Sequence, residues 1–586
     1  MNLLSGNEAI ARGAFEAGVT VAVGYPGTPS TEILENTVKY KDTIYCEWSP
    51  NEKVALEVAA GAAYTGARVI VTMKHVGLNV AADPLMTLAY TGTVGGILIC
   101  VADDPGMHSS QNEQDTRQYA RFARIPVLEP SDSQEAKDFV RIGMELSEKY
   151  QTPVILRSTT RVSHSRSLVQ ENERQETGRA IGFKKDPPRF VPIPLWGREM
   201  RIRVEERLTQ LIAVAEQSPA NRIEAGSSAL GIIAVGIAYQ YAKEVWPDAG
   251  FLKLGLCYPF PDRLIREFSE KHDKLLVIEE LDPIVEEHVR SLGIECYGKE
   301  FVPVIGELST DTLRVAKAAI ENATAPTISL ATPVEDLPGR PPVLCPGCPH
   351  RGVFHALGKF DVVVTGDIGC YSLGTFKPLN RMDTILCMGG GITMAHGMDK
   401  AGEPRKVVGL VGDSTFFHSG ITGLLDIAYN KGNSTIIVVD NRITAMTGHQ
   451  ENPGTGLTLM QEKTEAVSIE ALGKACGIKR VRQVDPNDLK TTQRVIAEEL
   501  VAEEPSLIIS LAPCLLHLKR NQGPSFHIDT DLCRDCRKCL ALGCPAIEAD
   551  QGKPAINAMI CAGCGMCEQV CPYDAISVQE EYHDAK

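Results

Sequence analysis

The chain has 586 residues, long enough at roughly 100–200 residues per domain for about three to five domains. Its 44% hydrophobic and 23% charged residues match ordinary globular protein and exclude a largely disordered chain. The 59 basic and 74 acidic residues leave a net charge of −15, which argues against nucleic acid or an anionic membrane as the main partner.

From residue 20 to about 159, short apolar runs alternate with helical patterns. TVAVGYPG, RVIVTMKH, GGILICVAD and PVILRST read as strands, and Glu52–Tyr64 and residues 133–149 read as helices. This alternation predicts a parallel sheet covered on both faces. Residues 161–203 turn basic and proline-bearing, the composition of a linker or a surface-wrapping segment. A second α/β unit follows, with LGIIAVGIAY, GFLKLGLCYPF and KLLVIEEL as buried strands, and it ends near Ala323. TAPTISLATPVEDLPGRPP marks another linker, and a third α/β unit runs from about Val343 to Leu518. A short NQGPS hinge then leads to a Cys-rich tail. The expected fold class is α/β, with several doubly wound parallel-sheet domains and a small α+β tail.

No apolar run approaches the roughly 18–20 residues of a membrane span. The opening MNLLSGNEAIARG has no basic region followed by an apolar stretch, so a cytoplasmic protein is expected. Eight of the 18 cysteines fall between Cys533 and Cys571. In a reducing cytosol, thiols so dense at short spacing mean metal or iron–sulfur rather than disulfides.

The run Cys561-x2-Cys564-x2-Cys567-x3-Cys571-Pro572 has the bacterial ferredoxin spacing, in which the fourth Cys ligates the other cluster. An earlier run, Cys533-x2-Cys536-x2-Cys539-x4-Cys544-Pro545, is one residue longer before its last Cys. Crossed ligation assigns Cys533, Cys536, Cys539 and Cys571 to one [4Fe–4S] cluster. It assigns Cys544, Cys561, Cys564 and Cys567 to the other. A zinc module is the alternative; eight Cys, no His within the runs and Pro after both terminal Cys disfavour it. Two such clusters make a wire for single electrons.

KVVGLVGDS, residues 406–414, reads as a buried strand. TFFHSGITGLLDIAYNKG reads as a helix with Phe417, Ile421, Leu424, Leu425 and Ala428 at helical spacing. STIIVVDN is a second buried strand, ending at Asp440-Asn441. A right-handed βαβ unit puts both strand ends on the side where ligands of such sheets bind. Asp413 and Asn441 then converge as hard oxygen ligands suited to Mg²⁺ carrying a diphosphate. Gly412 lets the phosphates approach the backbone, and Ser414 stands beside them. A plain helix cap at Asp413 is the alternative. Outside the tail, Cys46, Cys100, Cys257, Cys296, Cys387 and Cys476 are expected to be buried structural thiols.

These motifs resemble the thiamine diphosphate-dependent 2-oxoacid:ferredoxin oxidoreductases. Gly412-Asp413 followed by Asn441 at the next strand end resembles the thiamine diphosphate motif, which implies Asp413, the Asn441 side chain and the Ile443 carbonyl around Mg²⁺. Three further segments resemble the family's thiamine-binding part: Cys345-Pro-Gly-Cys348-Pro-His350, Gly366-Asp-Ile-Gly-Cys370-Tyr371-Ser-Leu-Gly374 and Ala512-Pro-Cys514. In the family four such Cys hold a cluster beside the thiazolium, so Cys345, Cys348, Cys370 and Cys514 are expected to hold a third, proximal [4Fe–4S] centre. Four buried thiols or a structural zinc are the alternatives. Cys370 and Tyr371 are expected beside the cofactor. Gly24-Tyr25-Pro26-Gly27-Thr28-Pro29-Ser30 is similar to the family's Tyr-Pro-x-Thr-Pro-Ser run, and Glu52 falls at the Glu that touches the aminopyrimidine.

The resemblance implies a pyrimidine-binding domain over 1–175, a linker over 176–200 and a transketolase-C-like domain over 201–325. A second linker over 326–342, a thiamine diphosphate/Mg²⁺ domain over 343–520 and a two-cluster ferredoxin domain over 524–582 follow. That order resembles the large subunits acting on arylpyruvates of the indolepyruvate type. The implied activity is oxidative decarboxylation of the 2-oxo acid. Coenzyme A takes the acyl group, and electrons leave singly to an external ferredoxin. A smaller γ-domain-type subunit is the implied partner, in a dimer of heterodimers. Glu52 is the expected catalytic acid and Thr28 the expected contact to the substrate carboxylate or bound intermediate; His75 and His350 are candidate acid–base helpers, with a hydrogen-bonded structural histidine the favoured reading of each. Asp103 stands near the family's substrate-binding Arg; an acid there repels a small 2-oxo acid and argues against pyruvate. The alternatives are a ferredoxin oxidoreductase for branched-chain or short 2-oxo acids, a purely electron-transferring subunit and a non-oxidative decarboxylase.

Overall fold

The computed structural model describes residues 1–176, 182–321, 342–518, 523–549 and 552–579. The expected linker over 326–342 lies outside them apart from Pro342, as do residues 177–181 of the earlier linker and the first two residues of the NQGPS hinge. The chain divides into two compact units, Met1–Leu337 and Pro338–Lys586.

In the first unit, strands Val69–Lys74 and Ile97–Asp103 are buried along their whole length. Strands apolar on both faces need helices on both faces, which is the parallel-sheet arrangement. The seven-stranded sheet runs in the order Leu256–Tyr258, Val127–Leu128, Val154–Thr159, Ile97–Asp103, Val69–Lys74, Val21–Gly24, Tyr45–Trp48. Only the Leu256–Tyr258 strand is antiparallel. Helix Glu52–Tyr64 starts where Asn51 Oδ1 accepts from Val54 N at 2.9 Å, an N-cap. It packs Ala55, Leu56, Ala59 and Ala63 inward.

The second α/β segment is not sealed off from the first. Its strand Leu256–Tyr258 completes the first sheet, while Lys274–Ile278, Leu230–Val235, Gly250–Leu254 and Arg222–Glu224 form a sheet of their own. A buried ionic network crosses the seam. Arg117 pairs with Asp115 and Glu279 at 2.6 Å each, and Arg157 pairs with Asp103 at 2.7 Å and Glu129 at 2.5 Å. The basic stretch after Arg161 is ordered where it is described. Arg166–Val169 pairs antiparallel with Asn2–Ser5, and helix Pro194–Ala215 begins inside the expected linker with Pro in its first turn.

In the second unit a six-stranded parallel sheet runs Thr384–Ile385, Val362–Gly366, Lys406–Gly412, Thr435–Asp440, Ser506–Leu511, Arg480–Val484. The helix expected over 415–432 is broken by a π-turn at Phe416–Gly420 before Ile421–Tyr429. The wider turn rotates the apolar face. Phe416, Phe417, Leu424 and Ile427 are buried, while Leu425, expected inside, is 52% exposed.

The Cys-rich tail folds as two short antiparallel pairs, Phe526–Ile528 with Ile576–Val578 and Ile547–Glu548 with Ala555–Ile556. It does not swing free behind a hinge. Leu489 joins its core with Phe526, Leu542 and Met566. Gln569 accepts from Leu489 N at 3.0 Å and donates to Asn487 O at 2.8 Å. Among the described residues no helix is long and apolar enough to cross a membrane.

Candidate active site

In the second unit the strand order reverses between Val362–Gly366 and Lys406–Gly412, the crevice where open α/β sheets bind ligands. The residues following these two strands are Asp367 and Asp413, and Asn441 and Cys514 follow the next two strands in the sheet. Asp413 is 4% exposed. Its Oδ2 accepts from Asn452 Nδ2 at 3.1 Å. Burial, and then the Asp440 carboxylate, push its pKa up to about 7. Asp440 is met by Arg442 Nε at 3.4 Å; among the described residues no cationic side chain pairs with Asp413. A buried carboxylate held only by amide donors is a donor set that a hard divalent cation satisfies.

The neighbouring predicted residues gather at the same edge. Asn441 Oδ1 accepts from Ile443 N at 3.2 Å, and Ser414 Oγ accepts from Thr444 Oγ1 at 2.9 Å. Gly412 is required by its neighbour: a Cβ there would stand 2.7 Å from Tyr371 Cε1. The buried Tyr371 hydroxyl donates to Asp367 and lies 3.3 Å from Thr415 Oγ1. Asp367 also accepts from Gly389 N at 2.7 Å, and burial pushes its pKa up to about 8. His350 is buried with its pKa pushed down to about 4, so the neutral ring is the stable form.

In the first unit the reversal lies between Val21–Gly24 and Val69–Lys74. The Gly27-Thr28-Pro29 turn follows one strand, and Lys74 ends the other. Ser109 Oγ donates to Thr28 O at 3.1 Å, and Lys74 Nζ donates to Ser109 O at 2.9 Å. The Lys74 stem lies against Gly27, where a Cβ would be 3.0 Å from Lys74 Cγ and Cδ. Burial brings the Lys74 ammonium down to about 8, against the fields of Asp104 and Glu52. Glu52 is 4% exposed, and Gly77 packs on it so closely that a Cβ would fall 2.5 Å from Glu52 Oε1.

One sequence expectation changes here. Asp103 is wholly buried; it accepts from Arg157 Nε at 2.7 Å and from Thr116 N at 3.0 Å. Its charge is spent on Arg157, so it does not repel a substrate. His75 is also buried, and its Nε2 lies 3.1 Å from Asn112 O, which gives it a local structural partner.

Two cavities are lined by tail residues, the first of them also by Gly347 and Arg351. Cys544, Cys561, Cys564 and Cys567 line the first; Cys533, Cys536, Cys539 and Cys571 line the second. These are the two crossed sets, brought together by the fold. The other four thiols, Cys345, Cys348, Cys370 and Cys514, lie within electrostatic reach of one another. Burial, and then these neighbours, push Cys370 up to about 11. Cys370 also feels Asp413, and Cys514 N donates to Asn441 O at 3.0 Å. Among the described residues no three His, Cys, Asp or Glu converge tightly enough to hold one metal ion. Of the thiols expected to be buried, Cys46, Cys100 and Cys257 are; Cys296 and Cys476 are half-buried and Cys387 is exposed, because it lies beyond the short edge strand Thr384–Ile385.

Three family models match the chain. Residues 12–206 match pyruvate flavodoxin/ferredoxin oxidoreductase, thiamine diP-bdg. Residues 367–510 match the thiamine pyrophosphate enzyme C-terminal TPP-binding domain, and 525–572 match a 4Fe-4S dicluster domain. Indolepyruvate oxidoreductase subunit IorA of Pyrococcus abyssi is 42% identical, over 99% of this chain and 97% of that one. The same subunit of Methanothermobacter thermautotrophicus is 41% identical, over 98% and 96%. The chain belongs to the indolepyruvate oxidoreductase IorA family. The Archaeoglobus fulgidus member is 39% identical, over 98% of this chain and 97% of that one. This IorA-family chain is an oxidoreductase subunit with thiamine diphosphate-binding and [4Fe–4S] domains. A solved 2-oxoglutarate:ferredoxin oxidoreductase from Magnetococcus marinus aligns over 55% of this chain and 65% of that one, at 17% identity and a TM-score of 0.45.

Lys74, Asp367, Asn452 and Arg351 escaped the sequence reading. Asp367 had a signal, since Gly366-Asp367 repeats Gly412-Asp413 at the neighbouring strand end. Lys74 sits at the end of RVIVTMKH, but pairing it with Thr28 takes the strand order. Asn452 lies in a loop with no local mark of its role.

Proposed function

We propose that this chain is the large subunit of a cytoplasmic, oxygen-sensitive enzyme that oxidatively decarboxylates arylpyruvates of the indolepyruvate type. Coenzyme A is the acyl acceptor and ferredoxin the electron acceptor. Thiamine diphosphate, when bound, supplies the carbon centre on which decarboxylation proceeds. Asp413, Asn441 and the Ile443 carbonyl hold Mg²⁺ on the diphosphate, with Ser414 and Gly412 beside it. Tyr371 fixes the wall of that site. Glu52 donates or accepts the proton at the aminopyrimidine ring nitrogen and so sets its tautomer. Thr28 and Lys74 receive the substrate carboxylate.

The observation that carries this reading is Asp413, a buried carboxylate at the crevice of a parallel sheet that pairs with no cationic side chain among the described residues. It stands in the same compact unit as two cavities walled by four thiols each. Electrons therefore have a route out that a non-oxidative decarboxylase does not need. Twelve thiols in three sets support three [4Fe–4S] centres. A smaller γ-domain-type subunit completes the enzyme as a heterodimer, paired into a dimer of heterodimers.

The test is anaerobic reconstitution with Mg²⁺, thiamine diphosphate and iron–sulfur, with and without the smaller subunit. Indolepyruvate, phenylpyruvate and hydroxyphenylpyruvate should reduce ferredoxin in a coenzyme A-dependent way only when both subunits are present. Full activity of the large chain alone refutes the partner. A preference for pyruvate or a branched-chain 2-oxo acid moves the substrate assignment to the second reading.

A further inference from the structure

A buried guanidinium needs either an anion or acceptors for all its donors. Three arginines of this chain are among the largest fully buried side chains: Arg117, Arg157 and Arg351. The first two face carboxylates at 2.6 and 2.7 Å. Arg351, 1% exposed, pairs with no Asp or Glu among the described residues. Its Nη1 donates to Leu542 O at 2.6 Å, and its Nη2 donates to Leu344 O at 2.9 Å and Cys345 O at 3.0 Å. Its Nε is buried without a partner. The charge is left unbalanced by the carboxylates of the fold.

Thiols surround it instead. Arg351 lines the cavity walled by Cys544, Cys561, Cys564 and Cys567. Its charge also acts on Cys345 and Cys348, and on Cys564 in the cavity. All three carbonyl contacts lie at or beside ligand positions: one belongs to Cys345 itself, Leu344 precedes it, and Leu542 lies two residues before Cys544. Leu542 belongs to the stretch that is one residue longer than the ferredoxin spacing. That stretch forms the turn Lys538–Leu542 and ends at Gly543 with φ 63°.

We propose that Arg351 is the shared counter-cation of two neighbouring iron–sulfur centres, one in this cavity and one on Cys345, Cys348, Cys370 and Cys514, and that it raises the reduction potential of both while holding them in register. The proposal rests on the reading of those thiols as cluster ligands. A [4Fe–4S] centre on four thiolates is net anionic, and reduction adds another negative charge, so a buried cation favours the reduced form. The cations that line the cavity of Cys533, Cys536, Cys539 and Cys571 are the solvent-exposed Arg534, Arg537 and Lys538, which water and salt screen. It serves as an internal reference. Arg351 also ties the Cys345 loop to the tail by two sides of one planar group, a task that a lysine cannot perform.

The experiment is a redox titration of the two-subunit enzyme followed by electron paramagnetic resonance, with iron counted in every sample. For Arg351→Gln the reduced fraction of two centres at a fixed potential should fall at least about tenfold, a shift of ~59 mV for one electron, while the third centre stays in place. Arg351→Lys, which keeps the charge but not the fork, should hold both potentials near wild type and slow electron passage between the two centres. Full iron content with unmoved potentials in Arg351→Gln overturns the proposal, as does an equal shift of all three centres. If Arg351→Gln does not fold, a wild-type passage rate in Arg351→Lys overturns it. Wild-type enzyme without iron on these thiols overturns the ligand reading first, and the iron count identifies that case.

Discussion

Asn452 Nδ2 donates to Asp413 Oδ2 at 3.1 Å, from a loop 39 residues downstream of the strand end that carries the acid. The bond leaves the other carboxylate oxygen for a ligand and fixes the plane of the group. Asp413→Ala should therefore abolish retention of Mg²⁺ and thiamine diphosphate through gel filtration. Asn452→Ala should keep both but weaken Mg²⁺ about 10–100-fold, the usual effect of losing a group that orients a metal ligand. Calorimetric Mg²⁺ titration in the presence of thiamine diphosphate measures this. Chelation by EDTA should release the cofactor from wild type, and retention after EDTA would contradict the Mg²⁺ site.

Glu52 opens the helix Glu52–Tyr64 and is pressed by Gly77. Glu52→Gln should keep the cofactor and lose turnover by about 10²–10⁴-fold, the range of a lost general acid–base group. Gly77→Ala should act through the same residue, since the new methyl collides with the Glu52 carboxylate. Cofactor content and ferredoxin reduction, measured on the same samples, separate chemistry from binding. Wild-type turnover in Glu52→Gln would refute its role.

Much of this architecture is legible because parallel strands carry their own signature. KVVGLVG, TIIVVD and SLIISL are apolar on both faces, and each is followed by its functional residue. The crossed cysteine sets follow from spacing alone. What the sequence hides is pairing across distance. Asp103 and Arg157 lie on neighbouring strands and cancel, so an acid that looks functional in the sequence is structural. Lys74 meets the Thr28 turn only because Val69–Lys74 lies beside Val21–Gly24. The π-turn at Phe416–Gly420 shifts the helix phase and turns Leu425 outward. Arg351 looks like any charged residue after CPGCPH until its burial is seen.

Lys74 makes a pH-dependent prediction. Burial holds its ammonium at about 8, below the usual lysine value, and only the protonated form attracts a carboxylate. Substrate kcat/KM should be level below pH 8 and fall above it as the charge is lost. Lys74→Arg should remove that fall, because a guanidinium stays charged. Lys74→Met should raise KM for the 2-oxo acid ~10–100-fold, the worth of one hydrogen bond to a charged group, with cofactor content unchanged. An unaltered KM in Lys74→Met would assign the residue to holding Ser109 alone.

The final prediction counts metal. Eight tail thiols in two cavities account for two centres, and Cys345, Cys348, Cys370 and Cys514 remain. Cys370 and Cys514 follow strands of the sheet that carries Asp413, and Cys345 and Cys348 reach the same place from a Pro-Gly turn. Cys345, Cys348 and Cys370 are pushed up by burial and by neighbouring thiols and are costly to ionise, and iron offsets that cost by binding the thiolates. Anaerobically purified and reconstituted protein should hold about twelve iron atoms per chain, four for each of three [4Fe–4S] centres. Cys514→Ser should lower iron by up to about four atoms and slow electron exit, with thiamine diphosphate binding largely kept. Cys544→Ser should instead remove a tail centre and leave the one beside Asp413 intact. A native content of only about eight iron atoms, unchanged by Cys514→Ser, would rule out the third centre.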